Sequence, residues 1–186
     1  MSMLTPKQLW ELRDAVLDNA ARLAEDAEML LANGRWPAAF ESAYFSLEEV
    51  AKSTATPLAA DIVARDPSNM NWKAFWKIWK AHQAKSAGFV MLTNLYRGLF
   101  EKTNPGGEAP VRDEQLESKE ALELMRARES ALYVSWDGGI RSPREAITEE
   151  RAREMVTEAR KIVEAELSST DAHRRNIEQA ASGVVA

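Results

Sequence analysis

Apolar residues recur at spacings of three and four along almost the whole chain, and no stretch alternates with period two over a useful length. A 3.6-residue period places such residues on one stripe of a helix, whereas a half-buried strand needs alternation, so the pattern predicts an all-α fold. Punctuation then divides the chain. Thr5, Pro6 and Gln8 read as a capping box with proline at the first helical position. From there Leu9, Leu12, Val16, Ala20, Leu23, Ala27 and Leu30 repeat until Asn33-Gly34, a left-handed stop. Trp36-Pro37 restarts the pattern with Phe40, Ala43, Leu47, Val50 and Ala51. Thr56-Pro57 is expected to end or kink this second helix, because a residue before proline resists helical geometry. A short apolar piece, Leu58 to Ala64, adds a turn or two before Asp66-Pro67-Ser68-Asn69 breaks it.

A third helix is expected from about Asn69 to Phe100, on the stripe Phe75, Trp79, His82, Ser86, Phe89, Thr93, Tyr96 and Phe100. After a loop at Thr103 to Pro110, a fourth runs from Asp113 to Val134. Asp137-Gly138-Gly139 and Pro143 mark another loop, and Thr148 caps a fifth helix carrying Met155, Val156, Ala159, Ile162, Val163 and Leu167. The expectation is one bundle of about five helices over residues 1–167, with 168–186 a polar tail that is a frayed helix or disordered. A chain of 186 residues is long enough for one sizeable core, and no apolar run approaches the roughly 20 residues a membrane span needs. With no cysteine, and without the basic and apolar regions of a leader at the N-terminus, a cytoplasmic location is expected.

Net charge of −5 repels phosphate as a whole, so nucleic-acid binding would require a local basic patch. The stretch WKAFWKIWKAH, Trp72 to His82, is the first candidate. Its tryptophans Trp72, Trp76 and Trp79 fit a helix face better than exposed stacking platforms, and Lys73, Lys77 and Lys80 form a separate stripe. The stretch therefore reads mainly as core with a basic edge. His82 lies on the apolar face with Lys85 one turn on; a lone histidine there is more often a hydrogen-bonded core residue than a catalyst. On the second helix Glu41, Tyr44, Glu48 and Lys52 share a strip beside the core face and Glu49 points away, the bland alternative being a Glu48–Lys52 surface pair. Arg126, Arg128, Tyr133 and Trp136 close the fourth helix. The aromatic pair can simply cap the bundle, while an arginine packed on the Glu48–Glu49 strip would make a functional site. No phosphate-binding or dinucleotide glycine loop is present, and neither His82 nor His173 has a glutamate three residues before it. No metal or other cofactor is expected.

The capped first helix, Glu48-Glu49-x-x-Lys52, His82-x-x-Lys85, Arg128 leading to Ala131-Leu132-Tyr133-Val134, and the later Pro143 and Ile147-Thr148 together resemble AbiV-like abortive infection proteins of the HEPN superfamily, over about residues 12 to 167. The resemblance implies a HEPN-like helical bundle, a homodimer and a bacterial defence role against phage, exerted by blocking phage or host translation. It also implies RNA as a partner, since HEPN domains are often metal-independent ribonucleases built on an arginine followed by four to six residues and a histidine. Here no arginine stands five to seven residues before either histidine; Lys77-x-x-x-x-His82 is the nearest substitute. Lysine supplies charge without the bidentate fork of arginine. On this reading His82, Lys77 and Lys85 are the catalytic set, and Glu48, Glu49, Lys52, Arg126, Arg128 and Tyr133 form a polar network or binding surface. The other reading is a non-catalytic interaction protein whose helical surface binds a phage-encoded activator or target, or a host translation component.

Overall fold

The computed structural model describes residues 3–80, 123–124, 126–136 and 138–183, with backbone alone at 78 and 170–183. Helix α1 spans Pro6–Ala32 and starts on the expected capping box: Thr5 Oγ1 accepts from the Gln8 N–H at 3.2 Å and Gln8 Oε1 accepts from the Thr5 N–H at 2.9 Å. It stops where expected. Gly34 sits at φ +67°, a conformation that costs other residues a Cβ clash, and the Gly34 and Arg35 N–H groups donate to the Leu31 and Leu30 carbonyls.

Helix α2, Trp36–Arg65, does not end at Thr56-Pro57 but continues with Pro57 inside it. Proline removes the N–H that would bond the Ser53 carbonyl. The Thr56 hydroxyl replaces it, donating to Ser53 O at 2.9 Å, so the exposed acceptor is satisfied within the helix. Leu58 to Val63 are thus the last turns of α2 rather than a separate piece. A 3₁₀ turn, Pro67–Asn69, follows, and helix α3, Trp72–Lys80, begins on an Asn71 cap whose Oδ1 accepts from the Ala74 N–H at 3.1 Å. The remainder of the predicted third helix and most of the fourth lie outside the described residues.

Residues 123–124 and 126–132 form the described part of α4. It ends before Val134, correcting the predicted boundary, because the chain turns into a hairpin: β1, Ser135–Trp136, pairs antiparallel with β2, Ile140–Arg141, around Gly138 at φ +70°. Strands of two residues are too short to show alternation, so periodicity does not announce them. Pro143 opens a single turn, α5, Pro143–Ala146, capped reciprocally by Ser142 and Glu145. The bonds from the Ser142 N–H and hydroxyl hold the Glu145 carboxyl below its ordinary pKa. Helix α6, Glu149–Gly183, then starts as expected on Thr148, whose Oγ1 accepts from the Arg151 N–H at 3.2 Å.

Among the described residues the fold is all-α apart from that hairpin. Helices α1 and α2 run antiparallel, since Ser42 and Ser46 donate to the carbonyls of Leu23 and Ala20 at 2.9 and 2.7 Å, one register rising as the other falls. Such bonds need close backbones, and the facing residues are small: Ala20, Ala24 and Ala27 against Ala39, Ala43 and Val50. Helix α6 covers this seam with Ala152, Val156, Ala159 and Val163. The buried Arg13 ties α1 to α6 through Glu166 at 3.2 Å. At one end α3 closes the core by placing Phe75 against Leu9, Ala55, Ala59 and Ile62. At the other, α4 and α5 pack Ala127, Ala131 and Ile147 on Phe40. Helix α2 is central, and its polar residues must therefore be satisfied internally.

Candidate functional site

Burial on all sides of α2 determines what its charged residues can do. Glu48 is 5% exposed, and its carboxylate does not stand without a partner. An ionised carboxylate at such a depth persists only when compensated. Lys52 pairs with Glu49 rather than with Glu48, correcting the expected i, i+4 pair, and both side chains are largely buried. Glu49 therefore does not point away from the strip's chemistry. The reason lies in α3: Trp79 comes down beside Lys52, whose Nζ sits 5.9 Å from the indole centroid, and the ammonium is held between the carboxylate and the ring.

The aromatic run behaves as its spacing indicated. Phe75 is fully buried, Trp72, Trp76 and Trp79 pack around it edge-on or tilted at 5.0 to 5.8 Å, and Lys73, Lys77 and Lys80 are exposed. Lys77 thus stands on the solvent face of α3. His82 and Lys85 lie outside the described residues.

Arg128 on α4 does reach the α2 strip, one turn before Glu48. Its guanidinium carbon lies 5.0 Å from the Phe45 ring centroid and 5.7 Å from that of Tyr44. Its Nε is buried without a hydrogen-bond partner, and the guanidinium lies against the two rings. Burial pushes the nearby Glu41 carboxyl above its ordinary pKa, and the Arg128 charge partly opposes that rise. Arg126, two residues earlier, faces solvent on another side of the helix.

Tyr133 and Trp136 do not cap the bundle. They are 66% and 75% exposed, with Val134 and Ile140 similarly bare, because the hairpin projects with both faces in solvent. Trp136 and Ile140 face each other across the ribbon. Sequence reasoning missed Arg141 and Arg151. With Arg126 they line a surface concavity of about 250 Å³ floored by Ala127 and Ala146. Three arginines drawn from a helix, a hairpin and a second helix share no sequence spacing that would announce them. Among the described residues no group of three histidine, aspartate or glutamate side chains is placed to share a metal ion. No described helix is long and apolar enough to cross a membrane.

The described residues thus form a helical bundle with a buried polar strip on its central helix, closed by an aromatic helix and by an arginine stacked from a later one. The sequence model of the HEPN AbiV family matches residues 8–164, and the chain belongs to this family. No curated protein and no solved structure matches it.

Proposed function

We propose that the chain is an antiphage abortive infection effector that blocks phage or host translation by metal-independent cleavage of RNA. Residues 1–167 would be its single HEPN/AbiV-like domain, acting in the cytoplasm as a homodimer. The observation that carries the reading is the family match over residues 8–164, which points to abortive infection defence. It is supported by Lys77, which stands exposed on α3 and precedes His82 by five residues in the sequence. On this reading His82 takes the proton of the ribose 2′-hydroxyl or returns one to the leaving oxygen, while Lys77 or Lys85 stabilises the charge of the pentacoordinate phosphate. Glu48, Glu49, Lys52 and Arg128 then act from behind, as the polar and stacked groups that fix α2 against α3 and α4.

One observation favours a second reading. The exposed Tyr133, Val134, Trp136 and Ile140 suit a surface that binds a phage-encoded or host protein without chemistry.

An RNA-cleavage assay with excess chelator, comparing wild type with His82→Ala on total cellular RNA and tRNA, separates the two. Cleavage in chelator that falls at least 100-fold in His82→Ala is expected, in keeping with the 10²–10⁴-fold usually supplied by a general acid or base. Equal cleavage by the mutant would remove His82 from the mechanism, and no cleavage by the folded wild type would move the weight to the binding reading.

A further inference from the structure

We infer that Trp136 and Ile140, on the hairpin face turned away from the bundle, are where a second copy of this chain docks, each Trp136 packing over the partner's Ile140. The inference names a surface for the homodimer proposed above, and it gives to a second copy the face that the second reading gives to a foreign protein.

The first ground is direction. In the ladder Trp136 stands opposite Ile140, and Ser135 opposite Arg141. Successive side chains of a strand point to opposite faces, so the indole and the isoleucine share one face and Ser135 and Arg141 the other. Arg141 lines the concavity with Arg126 and Arg151 and acts on the Glu145 carboxylate of α5, so the polar face is the one turned toward the bundle. Trp136 and Ile140 therefore look outward, 75% and 76% exposed. A sheet with one wet side normally puts its polar residues there. The inverted order here leaves apolar surface in water for a partner to cover.

The second ground is area. Tyr133 and Val134, just before β1, are 66% and 65% exposed and enlarge the patch. Since an aromatic side chain carries about 150–250 Å², the four residues present roughly 400–600 Å². That is at the upper end of the largest apolar patch on a typical monomer, about 300–600 Å². Against an equal patch it buries roughly 800–1,200 Å² in total, close to the ~1,000 Å² a specific contact needs and well under the ~2,000 Å² at which obligate dimers begin. The association is therefore reversible and depends on concentration.

The third ground selects a second copy. The face carries one bulky ring beside one shorter aliphatic chain, with Cβ atoms about 5 Å apart across the ribbon. A two-fold axis lying parallel to the strands between two stacked ribbons sets each Trp136 over the partner's Ile140, so large meets small at both positions. One sequence thus supplies both halves of the fit. Charge agrees. The chain carries −5, yet each Arg141 points away from such a contact and the facing side chains, Trp136 and Ile140, are uncharged. The described turn residues, Gly138 and Gly139, bring no side chain that would hold the ribbons apart.

The test follows the full chain by sedimentation equilibrium from roughly 1 µM to 1 mM. Wild type is expected to dimerise with a Kd of about 10–100 µM, as suits a contact at the lower end of the specific range. Trp136→Glu and Ile140→Lys, each alone, are expected to raise that constant at least about tenfold, since each sets a charge against the partner's apolar side chain. Mixing the two variants in equal amounts lets the new carboxylate and ammonium meet in one half of the contact, while the native indole and isoleucine meet in the other. The mixture is expected to associate about tenfold more tightly than either variant alone. Arg141→Gln, on the opposite face, should dimerise as wild type does. All three side chains are exposed, and circular dichroism checks that the variants fold. A dimer that both apolar-face variants retain would overturn the inference and leave the homodimer of the proposed function standing on another surface. Wild type that stays monomeric to the top of the range would overturn both and return the face to the foreign protein of the second reading. No recovery in the mixture would overturn the docking of Trp136 on the partner's Ile140.

Discussion

Arg128 stacks on two rings and moderates the ionisation of Glu41, two roles that sequence alone does not separate. A carboxyl whose folded pKa stands above its unfolded one is penalised when ionised. The penalty is present at neutral pH and disappears as pH falls through the folded value. Glu41→Gln should therefore raise the melting temperature at pH 7, with the gain vanishing in acid. Arg128→Met removes the opposing charge, so the Glu41 titration followed by NMR should move further up, and the loss of two ring contacts should cost about 1–2 kcal/mol in denaturant unfolding. A Glu41 midpoint that stays put or falls would show that Arg128 does not act on it. The motif carrying Arg128 was visible in the sequence, but its ring partners were not, because stacking on Tyr44 and Phe45 depends on how α4 crosses α2. Lys52 is a second case: helical spacing put Glu48 on its strip and Glu49 on the far side, yet Glu49 is its partner, with Trp79 of another helix beside it.

Helix α2 shows where local rules yield to context. Both ends of α1 and the start of α6 were legible because caps are local chemistry, readable from Thr5, Asn33-Gly34 and Thr148. At Pro57 the same local rule predicts an end or a kink; the helix does not end there, and burial of Ala55, Leu58, Ala59 and Ile62 holds it together across the proline. The Thr56 hydroxyl then satisfies the carbonyl that proline leaves. A double-mutant cycle tests this. Thr56→Val should cost about 1–2 kcal/mol in the wild-type background, where it strands a buried acceptor. In a Pro57→Ala background, where residue 57 can donate to Ser53, the same change should cost less than about 0.5 kcal/mol. Equal costs in the two backgrounds would show that the hydroxyl does not compensate for the proline.

Taken whole, the molecule is acidic yet gathers Arg126, Arg141 and Arg151 where α4, the hairpin and the start of α6 meet. Sequence reading sought the required basic patch in Lys73, Lys77 and Lys80, a contiguous helical stripe, because contiguity is what a sequence displays. Arg126, Arg141 and Arg151 come from separate elements, and only the packed fold unites them. Family and fold class were legible, since they rest on periodicity and on short motifs in order; the arrangement of charge was not. In phage-infected cells expressing the chain, incorporation of labelled amino acids into protein measures its proposed action most directly. The account predicts that incorporation collapses after infection in cells with wild-type protein and continues in cells with His82→Ala at equal abundance. Continued incorporation alongside a fall in phage yield, or an equal collapse with the mutant, would contradict it.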